Sequence, residues 1–260
     1  VILTGTDPSG NTATCAATVT VEDNVDPVFT FCPADVTIDV DASCNIALAD
    51  YTGLATASDN CDPSPVITQS PVAGTILNGH GTTQLVTLTV TDASGNVDNT
   101  CTFTITLNDA IDPVAVCQDI TINLDGFGNA SIVPADVDGG STDNCNLDNA
   151  SFTVSPNAFT SADLGPNNVT LTVFDEAGNS ATCVAVVTVT DLTPPTAVCQ
   201  DISVNLDATG NVSIVGTDID GGSFDNGVIV SWVASPNTFD CSNTGANLVT
   251  LTVTDDGGLT

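Results

Sequence analysis

The stretch TLTVTDASGNVDNTCTFTITLNDAIDP, residues 87–113, contains the signals that decide the fold of this 260-residue chain. Apolar and polar residues alternate on both sides of the turn TDASGN, as they do in two half-buried β-strands joined by a hairpin. A proline then ends the strand pattern, because proline cannot donate a hydrogen bond to a sheet. The stretch therefore predicts an antiparallel strand pair followed by a linker.

This segment is one copy of a repeat. Further copies read LTGTDPSGNTATCAATVTVEDNVDP at 3–27 and TLTVFDEAGNSATCVAVVTVTDLTPP at 170–195, and an eroded turn, TDDGGL, stands at 254–259. The turn aspartates are 85, 83 and 80 residues apart, at Asp7, Asp92, Asp175 and Asp255. A second repeated segment, CQDITINLDGFGNASIV and CQDISVNLDATGNVSIV, starts at Cys117 and Cys199. A period of this length corresponds to one small domain.

We therefore predict four pieces. They are the C-terminal part of a preceding repeat (1–24), two complete repeats (25–109 and 110–191) and a third repeat that lacks its last strand (192–260). Because the chain lacks methionine and opens in mid-pattern, we expect an internal piece of a longer protein. Short alternating strands at this period predict an all-β fold of tandem immunoglobulin-like β-sandwiches, which would form an extended rod.

The composition is acidic without being that of a disordered chain. Apolar residues make up 42%, so the chain can build a core, but 32 acids face no lysine or arginine and the net charge is -32. The counter-charge must come from outside, and Ca²⁺ prefers the oxygen ligands that Asp and Asn supply. The alternative is an acidic surface that only confers solubility. Non-specific nucleic-acid binding is excluded, because phosphate contacts need basic residues, and no apolar run approaches the ~18 residues of a membrane span.

The recurring motifs resemble those of a known family. They are a Cys-Pro or Cys-Gln start, a central Asp-Asn-Cys, the run Val-Thr-Leu-Thr-Val-Thr-Asp-x-x-Gly-Asn-x-x-x-Cys and an Asp-x-x-x-Pro linker. As a set they resemble the hyalin repeat, especially the versions in large secreted and gliding adhesins of Bacteroidetes. The resemblance covers essentially the whole chain. It implies an extracellular adhesion or stalk role and does not name a ligand.

Ten cysteines at recurring positions imply disulfides and an oxidising, extracellular setting. Matching the chain to this repeat predicts three bonds, namely Cys32–Cys101, Cys117–Cys183 and, by elimination, Cys44–Cys61. Cys15 and Cys199 would lose their partners to the ends of the chain.

Two further cysteines match no cysteine in the other copies. Cys145 aligns with Gly227, and Cys241 aligns with Ser161, so each repeat keeps one half of a bridge. We predict that Cys145 and Cys241 are free thiols or pair across repeats or chains.

The predicted disulfides place each Asp-x-x-Gly-Asn turn at the pole where the preceding linker enters, which gathers carboxylates and amides at each junction. The predicted Ca²⁺ ligands are Glu22, Asp23, Asp26, Asp92, Asn96, Asp109, Asp112, Asp175, Asn179, Asp191 and Asp255. The pairs Asp59-Asn60, Asp143-Asn144 and Asp225-Asn226 are further candidates for the same clusters, whereas the hairpin acids Asp41, Asp125 and Asp207 should lie at the other pole.

Each turn also has a metal-free interpretation, in which Asp accepts backbone N–H groups and Gly or Asn adopts positive φ. The third junction, TDLTPP, lacks the second acid of the other linkers and is expected to be the weakest site.

Catalysis is not expected, since the one histidine, His80, has no basic partner and the paired carboxylates recur in every repeat. Trp232 aligns with Phe152, which favours a core aromatic residue. The first hypothesis is a structural stalk of a secreted or surface-attached extracellular adhesin, stiffened by disulfides and Ca²⁺, whose partners are neighbouring repeats. The alternatives are a module that binds a glycan or protein through its loops, and a fibre subunit that associates laterally or end to end.

Overall fold

The computed structural model describes residues 1–260 and consists almost entirely of β-strands and turns. The chain divides into two compact units, residues 1–110 and 111–260. The prediction of an all-β, immunoglobulin-like fold is confirmed. No helix has the length and apolar character that crossing a membrane would require.

The first unit contains ten strands. They are β1 (Ile2–Thr6), β2 (Thr12–Ala16), β3 (Val28–Phe31), β4 (Val36–Asp39), β5 (Asn45–Ala47), β6 (Thr56–Ser58), β7 (Val66–Ser70), β8 (Ile76–Asn78), β9 (Thr83–Thr91) and β10 (Val97–Asn108), with a 3₁₀ turn at Thr52–Leu54. Strands β1 and β2 form an antiparallel hairpin that is exposed along its whole length. By the repeat alignment this hairpin corresponds to parts of β9 and β10.

The first complete repeat is a sandwich around one large sheet. Its strand order is β4-β10-β9-β7, with β4 parallel to β10 and the other pairs antiparallel, and the pairs β3–β6 and β5–β8 complete the repeat. Alternate residues of β9 and β10 are buried, which is the alternation seen in the sequence. The ring of Phe103 on β10 meets Tyr51 edge-on, with 5.0 Å between centroids.

The second unit also contains ten strands. They are β11 (Ile120–Asn123), β12 (Asn129–Ser131), β13 (Thr153–Ser155), β14 (Ala158–Thr160), β15 (Gly165–Phe174), β16 (Ser180–Thr190), β17 (Asn211–Ser213), β18 (Ile229–Ser235), β19 (Thr238–Asp240) and β20 (Thr250–Asp255). The short helical elements are α1 (Pro134–Val137) and 3₁₀ turns at Asn149–Ser151, Ser161–Asp163, Gly216–Asp218 and Cys241–Asn243.

The second complete repeat has the same sheet as the first, in the order β11-β16-β15-β13 with β11 parallel to β16. Its core is built from alternate residues of the two long strands, closed by side chains from the β12–β14 side. The buried set comprises Val169, Leu171, Val173, Ala185, Val187, Val189, Leu124, Ile132, Val137 and Phe159. The alternation of the sequence thus corresponds directly to the inner and outer faces of the sheet.

The third repeat contains only the pairs β17–β19 and β18–β20. No strand corresponds to β16, and residues 201–207, which align with β11, do not form a strand. A smaller core remains, in which Leu251 and Val253 of β20 pack with Ile214 and Ile219, and Trp232 packs against this core.

In each complete repeat, one disulfide joins the start of the repeat to its last strand. Cys32–Cys101 has a Cα–Cα distance of 5.5 Å, and Cys117–Cys183 has 5.7 Å. These are two of the predicted pairs.

The third predicted pair, Cys44–Cys61, is wrong. Cys44 and Cys145 are each disulfide-bonded, whereas Cys61 is a free, exposed thiol. Cys44 belongs to the β4–β5 hairpin, while Cys61 lies beside Asp23, Asp59 and Asp92, so elimination joined residues from different parts of the repeat. Because Cys145 is bonded, the free-thiol alternative for this residue is also wrong. The other free, exposed cysteines are Cys15, Cys199 and Cys241.

Candidate metal centre

Each Asp-x-x-Gly-Asn turn is held together by its own aspartate. Asp92 Oδ1 accepts the backbone N–H groups of Ser94 (3.0 Å) and Asn96 (2.7 Å), and Oδ2 accepts the Asn96 side-chain amide at 2.7 Å. Gly95 adopts φ +92°, a left-handed conformation that favours glycine. The metal-free turn chemistry expected from the sequence is therefore present.

The same turns hold the preceding linker. Asn96 Nδ2 also donates to the backbone carbonyl of Asp23 at 3.2 Å, and Asn179 Nδ2 donates to the carbonyl of Ile111 at 3.3 Å. The asparagine at the end of the motif thus connects the hairpin to the chain that enters the repeat, in addition to closing the turn.

Three aspartates from three segments converge in the first repeat. One carboxylate oxygen each from Asp23 in the linker, Asp59 in the loop after β6 and Asp92 in the turn lie within 4.8 Å of one another. Asp59 Oδ2 accepts the N–H groups of Cys61 (2.8 Å) and Asp62 (2.7 Å), and Asp23 Oδ1 accepts a linker N–H. Asp59 Oδ1 and Asp23 Oδ2 are buried without a hydrogen-bond partner. Asp23 and Asp59 therefore each use one oxygen in their own segment and leave the other without a partner, whereas both oxygens of Asp92 accept hydrogen bonds within its turn.

The same arrangement recurs in the third repeat with Asp191, Asp225 and Asp255. One carboxylate oxygen of each lies within 4.8 Å of the others. Asp191 and Asp255 are only 6% and 1% exposed. One oxygen of each aspartate accepts a backbone N–H of its own segment, at distances of 2.9, 2.8 and 2.7 Å respectively. The buried oxygens without a partner are Asp191 Oδ2, Asp225 Oδ1, Asn226 Oδ1 and Asp255 Oδ2. We call these two groups the aspartate clusters.

By the repeat alignment, Asp109, Asp143 and Asp175 occupy the corresponding positions of the second repeat. Asp109 and Asp175 are buried, and the turn of Asp175 and Asn179 repeats the hydrogen bonds of Asp92 and Asn96.

Three predicted ligands, Glu22, Asp26 and Asp112, are exposed and lie outside the clusters. The second acid of the linker is therefore not a cluster member, and its absence from TDLTPP does not distinguish the third junction. The sequence indicated the loop aspartates Asp59 and Asp225 only as further candidates, whereas each contributes a carboxylate to a cluster. The signal for them was the Asp-Asn pair that recurs in each repeat.

The hairpin acids expected at the other pole form separate local turns. Asp41 Oδ1 accepts the N–H groups of Ser43 (2.8 Å) and Asn45 (3.1 Å). In the second unit, Asn226 Nδ2 donates to the carbonyl of Asp125 at 2.9 Å, so this hairpin of the second repeat contacts the loop that contributes Asp225.

The negative charge of the first cluster affects the neighbouring thiol of Cys61. The pKa of the Cys61 thiol is raised by local desolvation and then by the charges of Asp23, Asp59 and Asp92. Like charges no more than 4.8 Å apart repel each other, because water and salt screen so short a separation only in part. The chain has no lysine or arginine, so no such side chain balances the charge of the three converging carboxylates.

Comparison with known proteins gives one relative of similar sequence. Hyalin of Strongylocentrotus purpuratus is 29% identical over 271 aligned residues, covering 97% of this chain and 21% of hyalin. The chain therefore spans about a fifth of the length of that relative. This similarity agrees with the hyalin-repeat resemblance of the motifs, and nothing found supports a Bacteroidetes origin. No family model matches the chain.

Among solved structures, the extracellular cadherin domains 1–4 of protocadherin gamma B7 cover 89% of this chain and 73% of that structure, with 17% identity and a TM-score of 0.37. The protocadherin gamma B4 extracellular domain covers 98% and 47%, with 17% identity and a TM-score of 0.38. Both likenesses are distant.

Proposed function

We propose that this chain is part of the structural stalk of an extracellular adhesion protein, in which disulfides stiffen each repeat and Ca²⁺ stiffens the junctions between repeats. The similarity to hyalin, the disulfides and the tandem β-sandwiches support an extracellular adhesion-type module. The observation that carries the calcium part is the aspartate cluster, which contains buried carboxylate oxygens without a hydrogen-bond partner.

Calcium fits the chemistry of these clusters. Ca²⁺ takes six to eight oxygen ligands from carboxylates, amide and backbone carbonyls, and water. The third repeat offers three carboxylates and the buried Oδ1 of Asn226, all oxygen ligands. A bound divalent cation would remove the mutual repulsion of the aspartates and satisfy their orphaned oxygens.

The function we propose is mechanical. Each cluster takes one aspartate from the linker and two from the repeat that follows it, so a bound ion would fix the linker to that repeat. A chain of such junctions would hold a distal binding region away from the cell and carry load. The partners in this proposal are neighbouring repeats of the same protein, at the cell surface or in a secreted filament, and the surface ligand is left open.

The single histidine supports a non-enzymatic role. His80 Nδ1 accepts the backbone N–H of Asp109 at 3.1 Å, in the turn between β8 and β9. This hydrogen bond fixes the end of β10 and gives the residue a structural explanation. We therefore propose that the chain is not an enzyme.

Thermal unfolding with and without Ca²⁺ tests the proposal. A ligand that binds only the folded state at a hundredfold excess over Kd adds about 2.7 kcal/mol, which corresponds to a rise in Tm of roughly 10–20 °C for repeats of this size. We expect this rise for the unfolding of the third repeat in the wild type, and its loss from that transition in the single variants Asp255→Asn and Asp225→Asn. Asp207→Asn, in an exposed hairpin outside the clusters, is the matched control and should keep it.

The chelated state separates calcium binding from a purely structural role. Without Ca²⁺, Asp255→Asn should raise Tm, because it removes one of three repelling charges, whereas a carboxylate that serves only its turn would lower Tm when changed. If Ca²⁺ gives no more stabilisation than sodium chloride of matched ionic strength, the calcium proposal is wrong. Isothermal titration calorimetry then gives the number of ions bound by each variant.

A further inference from the structure

The loop that contributes Asp225 to the aspartate cluster of the third repeat is in contact with the second repeat. Asn226 Nδ2 donates to the backbone carbonyl of Asp125 at 2.9 Å and to Asp191 Oδ1 at 3.3 Å. Asp125 belongs to the hairpin 125–129, which connects β11 to β12 of the second repeat, whereas Asp191 follows β16 in the linker. One side-chain amide therefore joins the second repeat, the linker and the third repeat.

A glycine in the hairpin permits this contact. Gly128 adopts φ +74°, a left-handed conformation that favours glycine. A Cβ built on Gly128 would overlap the backbone carbonyl oxygen of Asn226. Because the obstructing atom belongs to the backbone, any other residue at this position would push the loop away from the hairpin.

A second contact supports the same loop. A Cβ built on Gly227 would lie 3.3 Å from the Cβ of Ser161, which begins the 3₁₀ turn Ser161–Asp163 of the second repeat. All of these residues belong to the same compact unit. The loop 225–227 therefore contacts two separate segments of the second repeat.

These contacts fix the orientation of the Asn226 side chain. An asparagine amide has two N–H groups, and the two acceptors of Asn226 Nδ2 account for both. Because the amide is planar, they also fix the direction of its oxygen. That oxygen, Oδ1, is buried and has no hydrogen-bond partner. The second repeat thus orients an unpartnered oxygen beside the cluster.

The cluster has unpartnered oxygens of its own. Asp255 and Asp191 are only 1% and 6% exposed, and the Oδ2 atom of each is buried without a partner. Asp225 Oδ1 is buried without a partner as well. Together with Asn226 Oδ1, these are four oxygens of the kind that Ca²⁺ prefers, and one of them is held in place by the second repeat.

We propose that the second repeat completes this site, its hairpin 125–129 positioning Asn226 as the fourth protein ligand of the cation. The inference rests on the calcium proposal and deepens it. An ion held by the three aspartates and Asn226 joins the body of the second repeat to the third, in addition to fixing the linker. Gly128 is a positioning residue in this arrangement, because it acts through Asn226.

The contact with the hairpin bears on how an ion stiffens a junction. Hinges between domains are formed by a few residues that absorb changes in φ and ψ. An ion that fixed only the linker to the following repeat would leave such a hinge at the other end of the linker. Contacts with the body of the preceding repeat remove that freedom.

Calcium titration of glycine variants tests the proposal. Isothermal titration calorimetry is done on the full chain as wild type, Gly128→Ala and Gly210→Ala. We expect Gly128→Ala to weaken one binding event at least about tenfold, the loss typical when a group that orients a metal ligand is changed, and to leave any others unchanged. A purely structural role of Gly128 would instead lower Tm in the chelated state without changing the affinity.

Gly210→Ala is the matched control. Gly210 has the equivalent place in the hairpin 207–211 of the third repeat and φ +79°, so alanine brings a similar backbone strain. Its Cβ would meet the Cys241 thiol instead of a backbone atom of a metal-binding loop. The Ca²⁺ affinities of this variant should match those of the wild type.

NMR spectra measure the coupling directly. On saturation with Ca²⁺, the backbone amides of residues 125–129 should shift together with those of residues 225–227, whereas the amides of the equivalent hairpin 207–211 should not. Asn226→Ala should weaken the same binding event and abolish the shifts at 125–129. This second variant carries the test if Gly128→Ala does not fold.

Failure of this inference differs from failure of the calcium proposal. If the wild type binds Ca²⁺ and Gly128→Ala binds it equally well, or if the amides of 125–129 do not shift, the second repeat has no part in the site and only this inference is wrong. If the wild type binds no Ca²⁺, both proposals are wrong.

Discussion

The eroded turn at Asp255 shows what each residue of the motif contributes. In the intact copies an asparagine side chain caps Oδ2 of the aspartate, at 2.7 Å for both Asp92 and Asp175. Leu259 replaces that asparagine in the last copy, so Asp255 keeps only the backbone hydrogen bond to Oδ1, and its Oδ2 is buried without a partner. The turn survives the substitution, while one buried oxygen of the carboxylate is left without a protein partner.

The hairpin aspartates have a different electrostatic character. Side-chain hydrogen bonding from Thr209, followed by backbone hydrogen bonds from Asn211 and Thr209, lowers the pKa of Asp207 below the 3.8 of an unperturbed aspartate. A lowered folded-state pKa means that the stabilisation is present above the unfolded pKa and is lost as pH falls through the folded value. We expect Thr209→Val to raise the pKa of Asp207, measured by carboxyl NMR titration.

The control for this titration is Thr217→Val, an exposed threonine elsewhere in the same repeat. Asp207 should keep its lowered pKa in that variant. An unchanged Asp207 pKa in Thr209→Val would show that the hydroxyl is not its main cause.

At the scale of elements, the sheet and the disulfide connect the same two segments of the chain. The bond Cys117–Cys183 joins the segment just before β11 to β16, and these two strands also pair in parallel. Bringing together two parallel strands that are far apart in sequence has a large entropic cost, because a long loop must be closed. A covalent link at the start of the two strands removes a large part of that cost from folding. The equivalent bond in the first repeat has the same position and a similar span.

Removal of this bond should be costly. A separation of 66 residues corresponds to about 4 kcal/mol in the chain-entropy account of disulfides. We expect the Cys117→Ala, Cys183→Ala variant to lose roughly 2–5 kcal/mol of unfolding free energy for the second repeat, measured by urea denaturation.

The matched control for the disulfide changes two cysteines that are free. Cys61→Ser with Cys241→Ser should leave the free energy of unfolding within about 0.5 kcal/mol of the wild type, since both thiols are exposed. Equal losses in the two variants would contradict a specific contribution of the disulfide.

At the scale of the whole molecule, the charge of -32 and the aspartate clusters act together. Screening by salt weakens the repulsion between distant acids but leaves the close carboxylates of a cluster largely unscreened. Specific binding of a divalent cation should therefore differ from a general effect of ionic strength. That difference is what separates a metal-stiffened stalk from a solubilising acidic surface.

Small-angle X-ray scattering measures this difference. We expect Ca²⁺ to narrow the distribution of maximum dimensions and to lengthen the molecule, relative to sodium chloride at matched ionic strength, because each ion would fix a linker to the repeat that follows. The double variant Asp191→Asn, Asp255→Asn should respond less than the wild type. Identical scattering curves under the two conditions would contradict stiffening of the junctions.

The sequence by itself determined the all-β class, the period of the repeat, the positions of the long strands and two of the disulfides. These follow from local alternation and from comparison of one copy with the next, since the side chains of a strand alternate between core and solvent. Comparison of the repeat copies also predicted four ligands that belong to the aspartate clusters, namely Asp23, Asp92, Asp191 and Asp255.

Only the tertiary structure decided which acids converge and that Cys61 is free. Neighbours in space come from segments far apart in the chain, and a count of acids does not distinguish Asp59, whose free oxygen is buried, from Asp26, which faces solvent. Pairing by elimination failed because it uses the number of cysteines and ignores the distance between their Cα atoms, which a disulfide restricts to about 7 Å.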